Sequence, residues 1–265
     1  FDQRTYLSQW AEHIFGHKYA DDIADVLENY FSLNIKKRPE QLDFIDSGFS
    51  HFAGGDEAQQ RLNDFAALVA SAEAIYTQLP DSHKSAFYEM VLYSVRASGL
   101  INQKILLAER SRLWASQKRS ATKLLAAQAH AAQEKLLEEL RFFNEVNADG
   151  KWNYMVSPMP LSELPRWAHE TQRAWVMPVV GEYTPADHAV LGVVTEGTNE
   201  PLQKNAFGKL PTFTRPVDTN YFIDIYNQGE GDLNWTAEAS ASWISLSQSS
   251  SDNDARIRVS IDWQQ

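Results

Sequence analysis

The chain has 265 residues, no cysteine and a formal net charge of −11 at pH 7; 43% of its residues are apolar and 12% aromatic. That length builds one large or two ordinary domains, each burying its own core, and the acidity, spread over both halves, argues against a general nucleic-acid or anionic-membrane binder. The lack of cysteine excludes a disulfide framework, a thiolate metal site and a cysteine nucleophile, and no apolar run approaches the roughly 20 residues of a membrane span.

The start, Phe1-Asp2-Gln3-Arg4-Thr5, has no initiator methionine and no basic or apolar leader. The end, Ile261-Asp262-Trp263-Gln264-Gln265, is a strand pattern without a turn or partner. Both ends read as cut from a larger protein.

The first half is patterned for helices. Residues 5–15 place Tyr6, Trp10 and Ile14 one turn apart, which predicts a buried face, and Gly16 is a helix stop. Residues 17–35 gather Ile23, Val26, Leu27, Tyr30, Phe31 and Asn34 on one face, and Lys36-Lys37-Arg38-Pro39 closes the helix with cations at its C-terminus. Residues 39–55 break the pattern as a loop pinned by Phe44, Phe49, His51 and Phe52. A long helix over residues 56–79 ends at Pro80, and Asp81-Ser82 is read as the N-cap of the next, which Gly99 is expected to bend. The last helix is expected over residues 120–147, with Leu124, Leu125, Leu136, Leu137, Leu140 and Phe143 inside and Gly150 as its C-cap. Five helices with short loops suit an antiparallel bundle.

The stretch Asn147-Ala148-Asp149-Gly150-Lys151-Trp152-Asn153-Tyr154 is the seam where the hydrophobic period changes. Beyond it Pro158, Pro160 and Pro165 mark an extended segment, and residues 175–180 and 189–194 read as short strands. Alternation is clearest over residues 221–226, at Leu233 and Trp235, at Trp243, Ile244 and Leu246, and over residues 257–261. The expected organisation is α+β in two domains: a helical bundle over 1–150, a linker over 151–171, and an immunoglobulin-like β-sandwich, complete or partial, over 172–265.

No complete catalytic constellation appears. Asp43 and Asp46 in the aromatic loop, and Glu182, Asp187 and Glu196 in the first β region, are acids whose spacing selects no glycosidase pair. His13 and His17 have zinc-ligand spacing, but Gly16 lies between them and the acidic base is missing. Asp252-Asn253-Asp254 lacks the glycine and distal glutamate of a calcium loop, and the serines of 240–251 have no nucleophile elbow. No cofactor or metal is expected. Trp152, Trp167, Trp175, Trp235, Trp243 and Trp263 offer indole faces of the kind that stack on sugars; Trp152 and Trp167, at the seam, are the stronger candidates, with Lys151 placed to meet a carboxylated sugar.

Several segments in order resemble the C-terminal part of the glycoside hydrolase family 115 enzymes, the xylan α-1,2-glucuronidases. They are WAEHIFGHKYADDIADVLENYFSLNIKKRPEQL, LPDSHKSAFYEMVLYSVRASGLIN, DGKWNYM, MPVV, LGVVTEG and LPTF…YFIDIYNQGEGDLNWTAEASASWISLSQ. The resemblance implies an upstream catalytic barrel that holds the acidic residues, glucuronoxylan as indirect partner, support for homodimers, and a periplasmic or secreted bacterial location. On it, Lys151, Trp152, Asn153, Tyr154 and Trp167 are expected near the substrate or the missing domain, and no catalytic residue carries over. Tyr154 stands where the resemblance implies a histidine, and residues 157–171 follow the pattern poorly. A carbohydrate-binding module and a structural or dimerisation module through residues 44–52 or a helix face are the alternatives.

Overall fold

The computed structural model describes residues 2–156, 175–215, 217 and 220–264. Within them the architecture is α+β: five helical rods and a small antiparallel sheet, with no closed barrel. Helix α1 (Gln3–Phe15) is capped by the Asp2 carboxylate, which accepts from the Arg4 amide at 3.2 Å. It stops at Gly16, whose φ of 91° is open to glycine and whose N–H donates to Glu12 O. The fully buried stripe is Leu7, Ala11 and Phe15; of the expected face, Trp10 and Ile14 are partly buried against the same core and Tyr6 is exposed. Ala11 faces a helix, α2 (His17–Lys36), whose own Ala20 and Ala24 are buried, and small side chains let the two axes approach.

Helix α3 (Glu57–Gln78) is followed by α4 (Asp81–Phe87), where Pro80 takes the cap position and Asp81 falls inside, pairing with Lys84 at 2.8 Å instead of capping. A π-helical turn, Tyr88–Leu92, carries α4 into α5 (Tyr93–Ser116) without a break. The irregularity lies there and not at Gly99, where an added Cβ would meet Val69 Cγ2 at 3.3 Å; close packing, not bending, explains that glycine. Helix α6 (Thr122–Arg141) ends earlier than expected, passing through a π turn (Phe142–Val146) into a 3-10 turn (Asn147–Gly150). Leu124 and Leu137 are exposed on it, although both were expected inside.

By backbone proximity the chain forms two compact units. The first comprises Phe1–Gly48, Arg61–Leu106 and Gln128–Pro178; the second comprises Phe49–Gln60, Leu107–Ala127 and Val179–Gln265. Spatial proximity thus groups two segments from the helical half with the β half, whereas composition changes at Gly150. In the first unit, Phe15, Ile23, Phe65, Phe87, Tyr88, Val91 and Leu92 form the centre of one apolar core.

The second unit carries β1 (Leu191–Thr195), β2 (Asn220–Asn227), β3 (Trp235–Thr236), β4 (Ile244–Leu246), β5 (Ser250–Ser251) and β6 (Ala255–Ile261). The sheet order is β1-β2-β6-β4, all antiparallel, and β3 pairs with β5 as a separate ribbon. Residues 175–180, expected as a strand, form none; Pro178 has no N–H to give a ladder. Side chains alternate along β2. Ile223 and Ile225 join Ile257, Leu233 and Trp235 in an apolar cluster, which leaves Phe222, Asp224 and Tyr226 for the other face. The register sets Asp224 opposite Arg256 and Phe222 opposite Arg258. A charged pair therefore lies on a face where both flanking β2 residues are buried aromatics.

Candidate functional site

The second unit is organised around an alternating chain of charge, Arg110–Asp56–Arg256–Asp224–Arg119. Asp56 follows Gly54-Gly55 and has a φ of 70°, and this left-handed step opens α3. Its Oδ1 accepts from Arg110 Nη2 at 2.7 Å and from the Gln59 amide at 3.0 Å, and its Oδ2 accepts from Arg256 Nη1 at 2.7 Å. Arg256 on β6 then grips Asp224 on β2 with both remaining donors, Nε to Oδ1 at 2.6 Å and Nη2 to Oδ2 at 3.0 Å. Arg119 Nη2 reaches the same Asp224 Oδ2 at 3.0 Å. Loop, α5, the α5–α6 connection and two strands are thereby joined by charge-assisted hydrogen bonds, one pair of which, Arg256–Asp224, has the bidentate geometry that arginine offers.

The rest of each guanidinium is also held. Arg110 Nε donates to His51 Nδ1 at 3.1 Å and its Nη1 donates to Gln59 Oε1. Because His51 Nδ1 accepts, its proton sits on Nε2, which faces Glu109 Oε2 at 3.3 Å. Arg119 lies between the Tyr226 ring at 4.1 Å and the Trp114 ring at 4.8 Å, and its Nε donates to Gln117 Oε1 at 2.6 Å. Arg256 covers the Phe222 ring at 3.7 Å. These stacks add cation–π attraction and fix the planes of the guanidiniums.

The electrostatics follow from burial opposed by pairing. Burial alone would raise the Asp224 carboxyl, but the hydrogen bonds and charges of Arg256 and Arg119 outweigh it and hold the group below its ordinary range. Burial would lower Arg256; Asp224 and Asp56 reverse this and keep it charged. At Arg110 burial prevails over Asp56 and the shift is downward. Asp254, which accepts the Asn227 amide at 2.8 Å, is raised, first by burial and further by nearby Asp224. A cavity of about 310 Å³ opens against Arg119, Arg256, Asp224, Asp254, Trp114 and Tyr226.

The acids singled out from sequence fall elsewhere or serve the backbone. Glu196 is buried, its two oxygens accepting the amides of Gly55 at 2.7 Å and Phe222 at 2.9 Å. Asp43 and Asp46 accept the amides of Ile45 and Gly48 in tight turns, Glu182 is exposed, and exposed Asp187 contacts its neighbour His188 at 2.7 Å. His17 meets Glu12 at 3.2 Å, across the helix break from His13. Of the seam residues, all in the first unit, Lys151 Nζ sits 4.4 Å over the Trp152 ring and Trp152 packs on the helical core with its Nε1 buried and unpartnered. Asn153 and Tyr154 are exposed, Tyr154 at a φ of 70°; Trp167 lies outside the described residues.

The five members of the charge chain carried a weaker signal in the sequence. Asp224 interrupts the apolar run Tyr221–Tyr226, and Arg256 alternates with Ile257 in the strand it faces. An acid and a base at matching positions of two neighbouring strands form a cross-strand pair, but only once the register is known. Neither the protein-family models nor the curated proteins contain a match to the chain.

Proposed function

We propose that the chain is the accessory C-terminal portion of a glycoside hydrolase resembling family 115, whose parent releases glucuronic or 4-O-methylglucuronic acid from glucuronoxylan. In this reading the chain is not itself catalytic; it braces an upstream barrel, supports a homodimer, and its sheet and ribbon are part of an immunoglobulin-like sandwich. The observation that carries the proposal is the ordered run of resembling segments from Trp10 to Gln248. Within the second unit, Asp56, Asp224 and Glu196 supply no glycosidase pair, because arginines or backbone amides occupy both oxygens of each. Incubating the purified chain with glucuronoxylan and assaying uronic acid tests this; the expected result is no release, and release would overturn it.

Sugar binding is a second reading, favoured by two exposed indoles. Trp243 and Trp263 are 44% and 40% exposed at adjoining ends of β4 and β6, where Asp262 N donates to Trp243 O at 2.8 Å. Trp152 fits this role less well, since Lys151 covers its ring. Affinity electrophoresis through xylan should then show retardation that Trp243→Ala or Trp263→Ala abolishes and Trp152→Ala does not. Equal mobility with and without xylan removes the reading.

A further inference from the structure

The alternating charge chain is incomplete at one end. It contains three guanidiniums and two carboxylates, and the charge of a third carboxylate, Asp254, reaches Arg119 without a direct ion pair. At the Arg110 end each guanidinium nitrogen has an acceptor, in His51, Gln59 and Asp56. At the Arg119 end, Nε and Nη2 are used and Nη1 has no acceptor among the described residues. The Arg119 side chain is only 6% exposed, and it lines the cavity of about 310 Å³. Nη1 opens onto that cavity, where a ligand acceptor could replace solvent on a donor that the protein leaves free. Its plane is clamped by Tyr226 and Trp114, so the open donor edge is held in a fixed direction.

Asp254 lines the same cavity. One of its oxygens accepts the Asn227 amide, and the other has no partner among the described residues. Arg119 pairs with Asp224 and not with Asp254. The cavity therefore presents an unfilled cationic donor and, separately, an unfilled acceptor. Its volume lies at the lower end of ligand pockets, which span roughly 300–1,000 Å³.

We propose that this cavity binds a small hydroxycarboxylate, its carboxylate on Arg119 Nη1 and a hydroxyl donating to Asp254. The carboxylate gives the open Nη1 edge of Arg119 a charged acceptor. The hydroxyl gives Asp254 a donor that a plain carboxylate lacks, which offsets the repulsion between the two carboxylates. The site does not depend on the glucuronoxylan reading and stands or falls separately from it.

Calorimetric titration of the purified chain with sodium gluconate, L-lactate, propionate and inorganic phosphate tests the assignment. The hydroxylated acids are expected to bind, and propionate and phosphate to bind at least about tenfold more weakly, the worth of one charge-assisted hydrogen bond. Arg119→Lys keeps the charge and loses the planar donor edge; Asp254→Asn leaves the arginine–aspartate chain intact. Each is expected to weaken gluconate by about tenfold or more, with circular dichroism confirming the fold. No binding by any of the four at millimolar concentration, equal binding of propionate and gluconate, a preference for phosphate, or unchanged affinity in both variants overturns the proposal.

Discussion

At the scale of single residues, Asp224 is the group on which most depends. It accepts from Arg256 twice and from Arg119 once, while itself buried on the aromatic face of β2. Asp224→Ala leaves two arginines without their shared counter-charge and is expected to cost about 3–5 kcal/mol, measured by urea unfolding. Asp254→Asn keeps an oxygen for the Asn227 amide and is expected to stay within about 1 kcal/mol of the parent. The sign of the acid response follows from the lowered carboxyl of Asp224. Its contribution is complete above the ordinary aspartate range and is lost as pH falls through the lower folded value. In Asp224→Ala that part of the acid-induced loss should be absent. A different residue tests close packing: an added Cβ at Gly192 would sit 2.3 Å from the ring of its cross-strand partner Tyr226. Gly192→Ala should therefore cost about 1–3 kcal/mol, read as a lowered Tm.

At the scale of elements, the most strained segment is the turn that closes α6. Ala148 and Asp149 have φ of 52° and 54°, and Gly150 follows at 74°. A left-handed L-residue costs roughly 1–2 kcal/mol. The turn is held by Asn144, whose side chain accepts from Val156 N at 3.0 Å and donates to Val156 O. Ala148→Gly should raise stability by about 1 kcal/mol, and Asn144→Ala should lower it; a fall in Tm for Ala148→Gly would contradict this account. The seam was legible at Gly150 because a glycine after an amphipathic helix implies a left-handed residue. The two preceding left-handed residues were not, since alanine gives no such sign. Helix positions were legible from apolar spacing, yet at α1 only Trp10 and Ile14 of the expected face pack on the core, while the small Ala11 at its centre carried little signal. The antiparallel strands were legible from alternation. The charge chain was not, because its five members come from a loop, α5, the α5–α6 connection and two strands and meet only through tertiary structure.

At the scale of the whole molecule, net stability depends on pH through groups in the first unit as well. Lys104 on α5 is fully buried, donates to Gln133 Oε1 at 2.6 Å and Val176 O at 2.9 Å, and loss of solvent lowers it to about 7. Between that value and the ordinary lysine range the unfolded chain holds the extra proton, so stability rises with pH across this window. Tyr93 runs the other way: burial raises it to about 12, so its contribution is present below the ordinary phenol range and is lost above it. Lys104→Met should flatten the rise in stability between about pH 7 and the ordinary lysine range in a series of denaturation curves. The central proposal is that these two units belong to a larger glucuronoxylan-degrading hydrolase. The most direct measurement is the mass and activity of the native protein captured by an antibody raised against this 30.1 kDa chain. The account predicts a much larger protein that releases uronic acid from glucuronoxylan, and a native protein of the chain's own mass with no such activity would contradict it.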